Sequence, residues 1–129
     1  MSERQNFPGT SPYEPVIGFS RAVRVGRHVM VSGTGPVGCD DHDVAGQADQ
    51  CLTLIAAALK SVGTSFEHVV RTRIYLTSAA DWEAVGRVHG KFFSIVRPAA
   101  TMVVVAALLD PRWKVEIEAD ALIPDDAVA

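Results

Sequence analysis

The sequence predicts an α+β domain built as a mixed sheet of at most six strands with two helices that can both cover one face. Residues 44–62 and 82–93 repeat apolar positions every three or four residues, the period of an amphipathic helix. Residues 69–76 and 114–122 alternate apolar and polar, the period of a half-buried strand. Turn signals divide the chain into the order β-β-α-β-α-β-β, with six strands at most, so both helices can cover the same side of one sheet. At 129 residues and 48% hydrophobic content, residues 1–129 form a single domain with one core.

Each element has its own warrant. Residues 1–15 are polar and carry Pro8, Pro12 and Pro15. Proline neither donates to a ladder nor continues a helix, so this stretch is expected to be an N-terminal arm that adds little to the core. Residues 19–25 and 28–32 read as two short strands around the tight turn Gly26-Arg27. Gly33, Gly35, Pro36 and Gly38 then mark a loop that runs to Asp43.

Ala48, Cys51, Leu52, Ile55, Leu59 and Val62 make the apolar stripe of the first helix, with Asp43 as N-cap and Gly63 just past its C-terminus. In the next strand Val70, Thr72, Ile74 and Leu76 share one face, and Arg71, Arg73 and Tyr75 the other. Ser78-Ala79-Ala80-Asp81 has the form of a capping box, after which Trp82, Val85, His89 and Phe92 follow at helical spacing. Residues 101–109 are almost wholly apolar and β-branched at the centre, which suits a strand covered on both faces. After the turn at Asp110-Pro111, the last strand turns Val115, Ile117 and Ala119 one way and Glu116, Glu118 and Asp120 the other. Residues 124–129 are expected to be a C-terminal tail.

Charge excludes some functions. Twelve basic against fifteen acidic residues leave a net charge of -3, with no basic stripe to draw in a nucleic acid. No apolar run approaches the length of a membrane span and no leader pattern follows Met1, so a cytoplasmic protein without membrane partners is expected. Cys39 and Cys51 have no metal or redox spacing and should be free thiols. His28, His42, His68 and His89 are scattered, so no metal site is expected. The apolar strand at 101–109 needs cover on both faces, and the chain has helix enough for only one. A second copy of the chain should supply the rest, making a homo-oligomer.

The run Pro98-Ala99-Ala100-Thr101 followed by Val115-Glu116-Ile117-Glu118-Ala119, with Val31-Ser32-Gly33, Ile74-Tyr75-Leu76 and Phe92-Phe93 in order before it, resembles the Rid family, also called the YjgF family. That resemblance implies a fold similar to the chorismate mutase of bacilli, closed into a homotrimer with small-molecule clefts between subunits. It also implies hydrolysis of short-lived enamines and imines to a 2-oxo acid and ammonia, without a cofactor. Glu116 matches the glutamate that positions water, and Ser32, Gly33, Thr101 and Met102 match pocket-lining positions.

Three positions depart from the pattern. Ala100 stands where the family's deaminases hold the substrate carboxylate with arginine, Phe19 where many members carry tyrosine, and Gly86 where a pocket asparagine is often found. Arg97 three residues upstream, Arg112 in the turn before the last strand and Arg73 on the non-helix face are the candidates to replace that arginine, although Arg73 is more naturally an intersubunit partner of Glu118 or Asp120. Two readings follow: a hydrolase of a carbon-nitrogen bond with altered specificity, or a catalytically inactive trimer that binds a small metabolite. Ribonuclease activity, attributed to some relatives, is disfavoured by the acidic balance.

Overall fold

A computed structural model describes residues 3–125 of the chain, so residues 126–129 of the expected tail lie outside it. Six strands form one sheet: β1 (Arg4–Phe7), β2 (Ala22–Val25), β3 (His28–Thr34), β4 (Val69–Leu76), β5 (Ala99–Val104) and β6 (Val115–Leu122). Their spatial order is β1-β2-β3-β6-β4-β5. Every neighbouring pair is antiparallel except β4 and β5, which are parallel and so need the long crossover that a helix provides. The helices are α1 (Val44–Val62) and α2 (Trp82–Phe93).

The caps of α1 are those the sequence predicts. Asp43 accepts a hydrogen bond from the Gly46 amide at 2.8 Å, and Gly63 closes the helix in the left-handed conformation at φ 94°. The stripe of α1 packs Leu52, Ile55 and Leu59 onto Val29 of β3, Ile74 of β4 and Ile117 of β6, all essentially dry. Val85 and Phe93 of α2 complete this core, with the Phe66 ring 4.8 Å from that of Phe93. His89 of α2 shares a 2.8 Å hydrogen bond with the buried Thr72 of β4, which fixes this helix over the same face. The opposite face of the sheet carries neither α1 nor α2 and is called the open face below.

Four expectations need correction. The arm at 1–15 contains strand β1, which pairs with β2, because residues 4–7 precede the first proline and keep every N–H free for the ladder. The strand expected at 19–25 starts only at Ala22, since Glu14–Gly18 form a π-helical turn that Phe19 ends.

The apolar strand is Ala99–Val104 rather than 101–109, and it lies at the sheet edge, with Val103 42% and Val104 52% exposed, instead of being covered on both faces. The Val105 amide makes one further bond to the Leu76 carbonyl, after which the chain bends away. Trp82 is 59% exposed and leaves the expected stripe. Ser78 caps a short 3-10 turn by accepting from the Ala80 amide, α2 begins at Trp82 itself as expected, and Phe93 rather than Trp82 joins Val85 in being fully buried.

Candidate functional site

The candidate site starts from the alternation of β6. With Val115, Ile117, Ala119 and Ala121 buried, the strand must place Glu116, Glu118 and Asp120 on the open face, and all three are half-buried there. On β4 the register sets Tyr75 beside Glu116 and Arg73 beside Glu118. Arg73 Nη1 lies 3.2 Å from Asp120 and 3.5 Å from Glu118, and the Tyr75 hydroxyl donates to the other oxygen of Glu118. The ion pair expected between subunits is thus made within one chain. It occupies Arg73, which leaves Glu116 as the acid of this row without a hydrogen-bond partner among the described residues.

On the other side of β6, strand β3 carries a bulge. Val31 pairs with Ala119 and Thr34 with Ile117, so β3 uses three steps where β6 uses two. The extra residue pushes Gly33 onto the Glu116 carboxyl group. A Cβ at position 33 would lie 2.6 Å from Glu116 Oε2, so any larger residue would have to displace the carboxyl group. Ser32 does not present a free nucleophile, because its hydroxyl donates to the Ser20 carbonyl at 2.6 Å.

A cation that motif reading missed completes this corner. Arg21, just before β2, donates from Nη2 to the carbonyls of Ser32 (2.7 Å) and Gly33 (3.0 Å) and to Thr34 Oγ1 (2.9 Å). No periodicity or spacing singles out this residue. The only signal is an arginine immediately before the buried Ala22, where its side chain falls on the open face.

Burial pushes the Glu116 carboxyl group above the ordinary carboxylate range; the Glu118 charge adds to the shift and Arg21 opposes it. Folding then favours the protonated form, so this group costs stability as pH rises through the window between its unfolded and folded values.

The other expected residues fall in three places. Phe19 and Ser32 line a depression of about 410 Å3 next to the Gly33 corner, together with Asn6, Glu14 and Gly18. Thr101 lies beside Arg73 on the open face, whereas Ala100 and Met102 lie beside Thr72 and Ile74 and share the helix face. Within one chain, Ala100 and Glu116 are therefore on opposite sides of the sheet. Gly86 is on α2, where a Cβ would meet open space, so one chain gives no packing reason for glycine.

A further depression of about 460 Å3, between α1 and α2, is lined by Cys39, His42, Asp49 and Lys91, but Lys91 and Asp49 already pair at 2.6 Å. Cys39 and Cys51 are both free; burial pushes the Cys51 thiol up to about 12. Among the described residues no three His, Cys, Asp or Glu side chains come together as a metal site, and no helix is long and apolar enough to cross a membrane.

Comparison with known proteins agrees with this architecture. The family described as Endoribonuclease L-PSP matches residues 10–123. A crystal structure of a YjgF/YER057c/UK114 family member from Mycobacterium tuberculosis superposes with a TM-score of 0.88 at 43% identity, covering 94% of this chain and 100% of that one. An uncharacterized protein of Streptomyces coelicolor is 36% identical over 115 residues, 86% of each chain. The 2-iminobutanoate/2-iminopropanoate deaminase of Mus musculus is 35% identical over 112 residues, 81% of this chain and 80% of the relative. A sheet in this order with both helices on one face, matched along nearly its whole length by these proteins, places the chain in the YjgF/Rid family.

Proposed function

We propose that the chain is a hydrolase of an imine, enamine or related carbon-nitrogen bond, acting in a cleft between the subunits of a cytoplasmic homotrimer. The observation that carries this reading is Glu116: a half-buried carboxyl group with a raised pKa, unpaired beside the Gly33 bulge. As carboxylate it takes a proton from water while the water oxygen attacks the imine carbon. The proton passes to nitrogen to give a carbinolamine, the same carboxylate carries a second proton from its new hydroxyl group to nitrogen, and as the carbon-nitrogen bond breaks a carbonyl compound and ammonia leave. Phe19, Ser32, Gly33 and Thr101 would line the cleft from the subunit that carries Glu116, and Ala100 and Met102 from its neighbour. The mouse relative's name supports this class of reaction. Ala100 argues for a substrate without an α-carboxylate.

The two-chain cleft is supported by the placement of Ala100 and Glu116 on opposite faces of one sheet. Residues so separated can line one cavity only if different subunits supply them. The exposed edge of β5, and Val25 and Met30, 37% and 40% exposed, give neighbours apolar surface to bury. Sedimentation should therefore find a trimer at micromolar concentration. A stable monomer would overturn this part.

The activity is tested with Glu116→Gln, followed by ammonia release from a panel of neutral and anionic imines generated in place. The variant should lose at least about tenfold in turnover of whichever imine the native protein prefers. It should melt no lower than the native protein, because it removes a charge that folding disfavours. A trimer that binds a small molecule without catalysis is the competing reading, favoured by the short, exposed Ala100 and the unfilled space at Gly86. Native turnover that Glu116→Gln leaves unchanged, or no turnover of any imine, would decide for it.

A further inference from the structure

The bulge in β3 raises a question of hydrogen bonding. An extra residue in one strand takes backbone groups off the ladder, and these must find side chains or water in its place. Here the donor is Arg21. A single nitrogen, Nη2, reaches the carbonyls of Ser32 and Gly33 and the hydroxyl of Thr34, which in turn donates to the Ser32 carbonyl at 2.8 Å. The Ser32 amide donates to the carbonyl of Arg21 itself at 3.0 Å. The bulge is therefore fastened to this residue by both main chain and side chain.

Arg21 forms no ion pair within 4.0 Å of any carboxylate among the described residues, although Glu14 and Glu116 both lie near enough for their charges to act on it. Glu14 instead accepts a bifurcated bond from the Gly9 amide at 3.0 and 3.1 Å. Arg21 Nε is buried without a partner. A half-buried guanidinium with an unsatisfied donor is an expensive way to close a bulge.

We propose that Arg21 is the positioning residue of the Glu116 corner: its guanidinium fills the β3 bulge, holds the Gly33 main chain against the carboxyl group, and supplies the positive charge of this corner on an acidic sheet face. Its consequence for turnover rests on the reading of Glu116 as the water-positioning group; its structural role does not. The other groups facing Glu116 do not supply that charge. Glu118, on the same strand, repels it. Tyr75, across on β4, gives its proton to Glu118. Cys51, on α1, is a neutral thiol. Arg73 is engaged by Glu118 and Asp120.

Two variants separate the charge from the fit. In protein labelled with 13C at the glutamate carboxyl carbons, with the Glu116 signal assigned by its loss in Glu116→Gln, Arg21→Gln should move the Glu116 titration to higher pH. The sign follows from removing the one cation that favours the carboxylate. Where the protein turns over an imine, the variant should lose at least about threefold more rate at pH 6 than at pH 8.

Arg21→Lys keeps the charge but not the planar donor set, so the Glu116 titration should stay near its native position. In the same variant, hydrogen exchange of the Ser32 amide should quicken at least about tenfold as the bulge loosens. An unmoved Glu116 titration in folded Arg21→Gln, or unchanged Ser32 exchange in Arg21→Lys, would overturn the proposal. The exchange measurement decides by itself if Arg21→Gln does not fold. Neither readout needs catalysis, so a chain with no hydrolase activity would sink the functional reading and leave this one standing or falling by itself.

Discussion

Turnover of 2-aminoacrylate or 2-iminobutanoate by this chain should be at least about a hundredfold slower than by a family member that holds the substrate carboxylate with arginine. Two charge-assisted bonds of about 1.5–3 kcal/mol each are missing when that residue is alanine. The structure narrows the ways around this loss. Arg112 is bound to Asp110 through both Nε (3.1 Å) and Nη2 (2.8 Å), and that pairing raises its pKa further. Arg73 is held by Glu118 and Asp120, and Arg21 by the bulge.

Of the cations weighed as replacements, only Arg97 has no hydrogen bond or ion pair from its side chain among the described residues, and it sits in the left-handed region at φ 53° just before β5. Ala100 itself is exposed on an edge strand, so Ala100→Arg should leave the fold intact and raise turnover of these anionic imines. Adding Glu116→Gln should remove the gain. Full activity in the native protein would contradict the expectation and point to Arg97 as the carboxylate clamp, and Ala100→Arg,Arg97→Ala would then distinguish the two.

Periodicity and resemblance reached far into this chain because its regular elements bury one face each. Residues of α1 and β6 alternate between a dry side and a wet one, and that contrast is written into their sequence at intervals of 3.6 and 2. Strand β1 has no such contrast: its four residues Arg4–Phe7 are polar except the last and gain a ladder rather than a core. The apolar stretch beyond Val104 misled in the opposite way. It carries the composition of a covered strand, but in one chain it lies past the sheet edge, and Leu109 is 97% exposed.

The site divides along the same line. Glu116 is legible because a strand's period fixes which face it occupies, and because the resemblance marks it. Arg21 and Gln47 are not, since each works through contacts with residues far away in the chain. Gln47 even falls among the apolar positions of α1, where its polarity reads as an interruption of the stripe rather than as a connection.

That connection should be the most sensitive polar contact in the fold. Gln47 is fully buried in the first turn of α1. Its Nε2 donates at 2.9 Å to the carbonyls of Asp40 and of Arg112, and its Oε1 accepts from the Lys114 amide at 2.7 Å. One side chain thus joins the loop after β3, the start of α1 and the entry to β6, two residues before Glu116. Leucine fills nearly the same volume but leaves a part-buried amide and two part-buried carbonyls without partners, at about 1–3 kcal/mol for each group that water cannot reach. Gln47→Leu should lower stability by about 3–5 kcal/mol, read as a fall in the urea midpoint at fixed chain concentration with the slope unchanged. Gln47→Glu keeps the acceptor and loses the donors, and should fall between the two. A loss below about 1 kcal/mol in Gln47→Leu would mean that water replaces the side chain at all three groups, and that the entry to β6, with Glu116 just inside it, is held by the strand ladder alone.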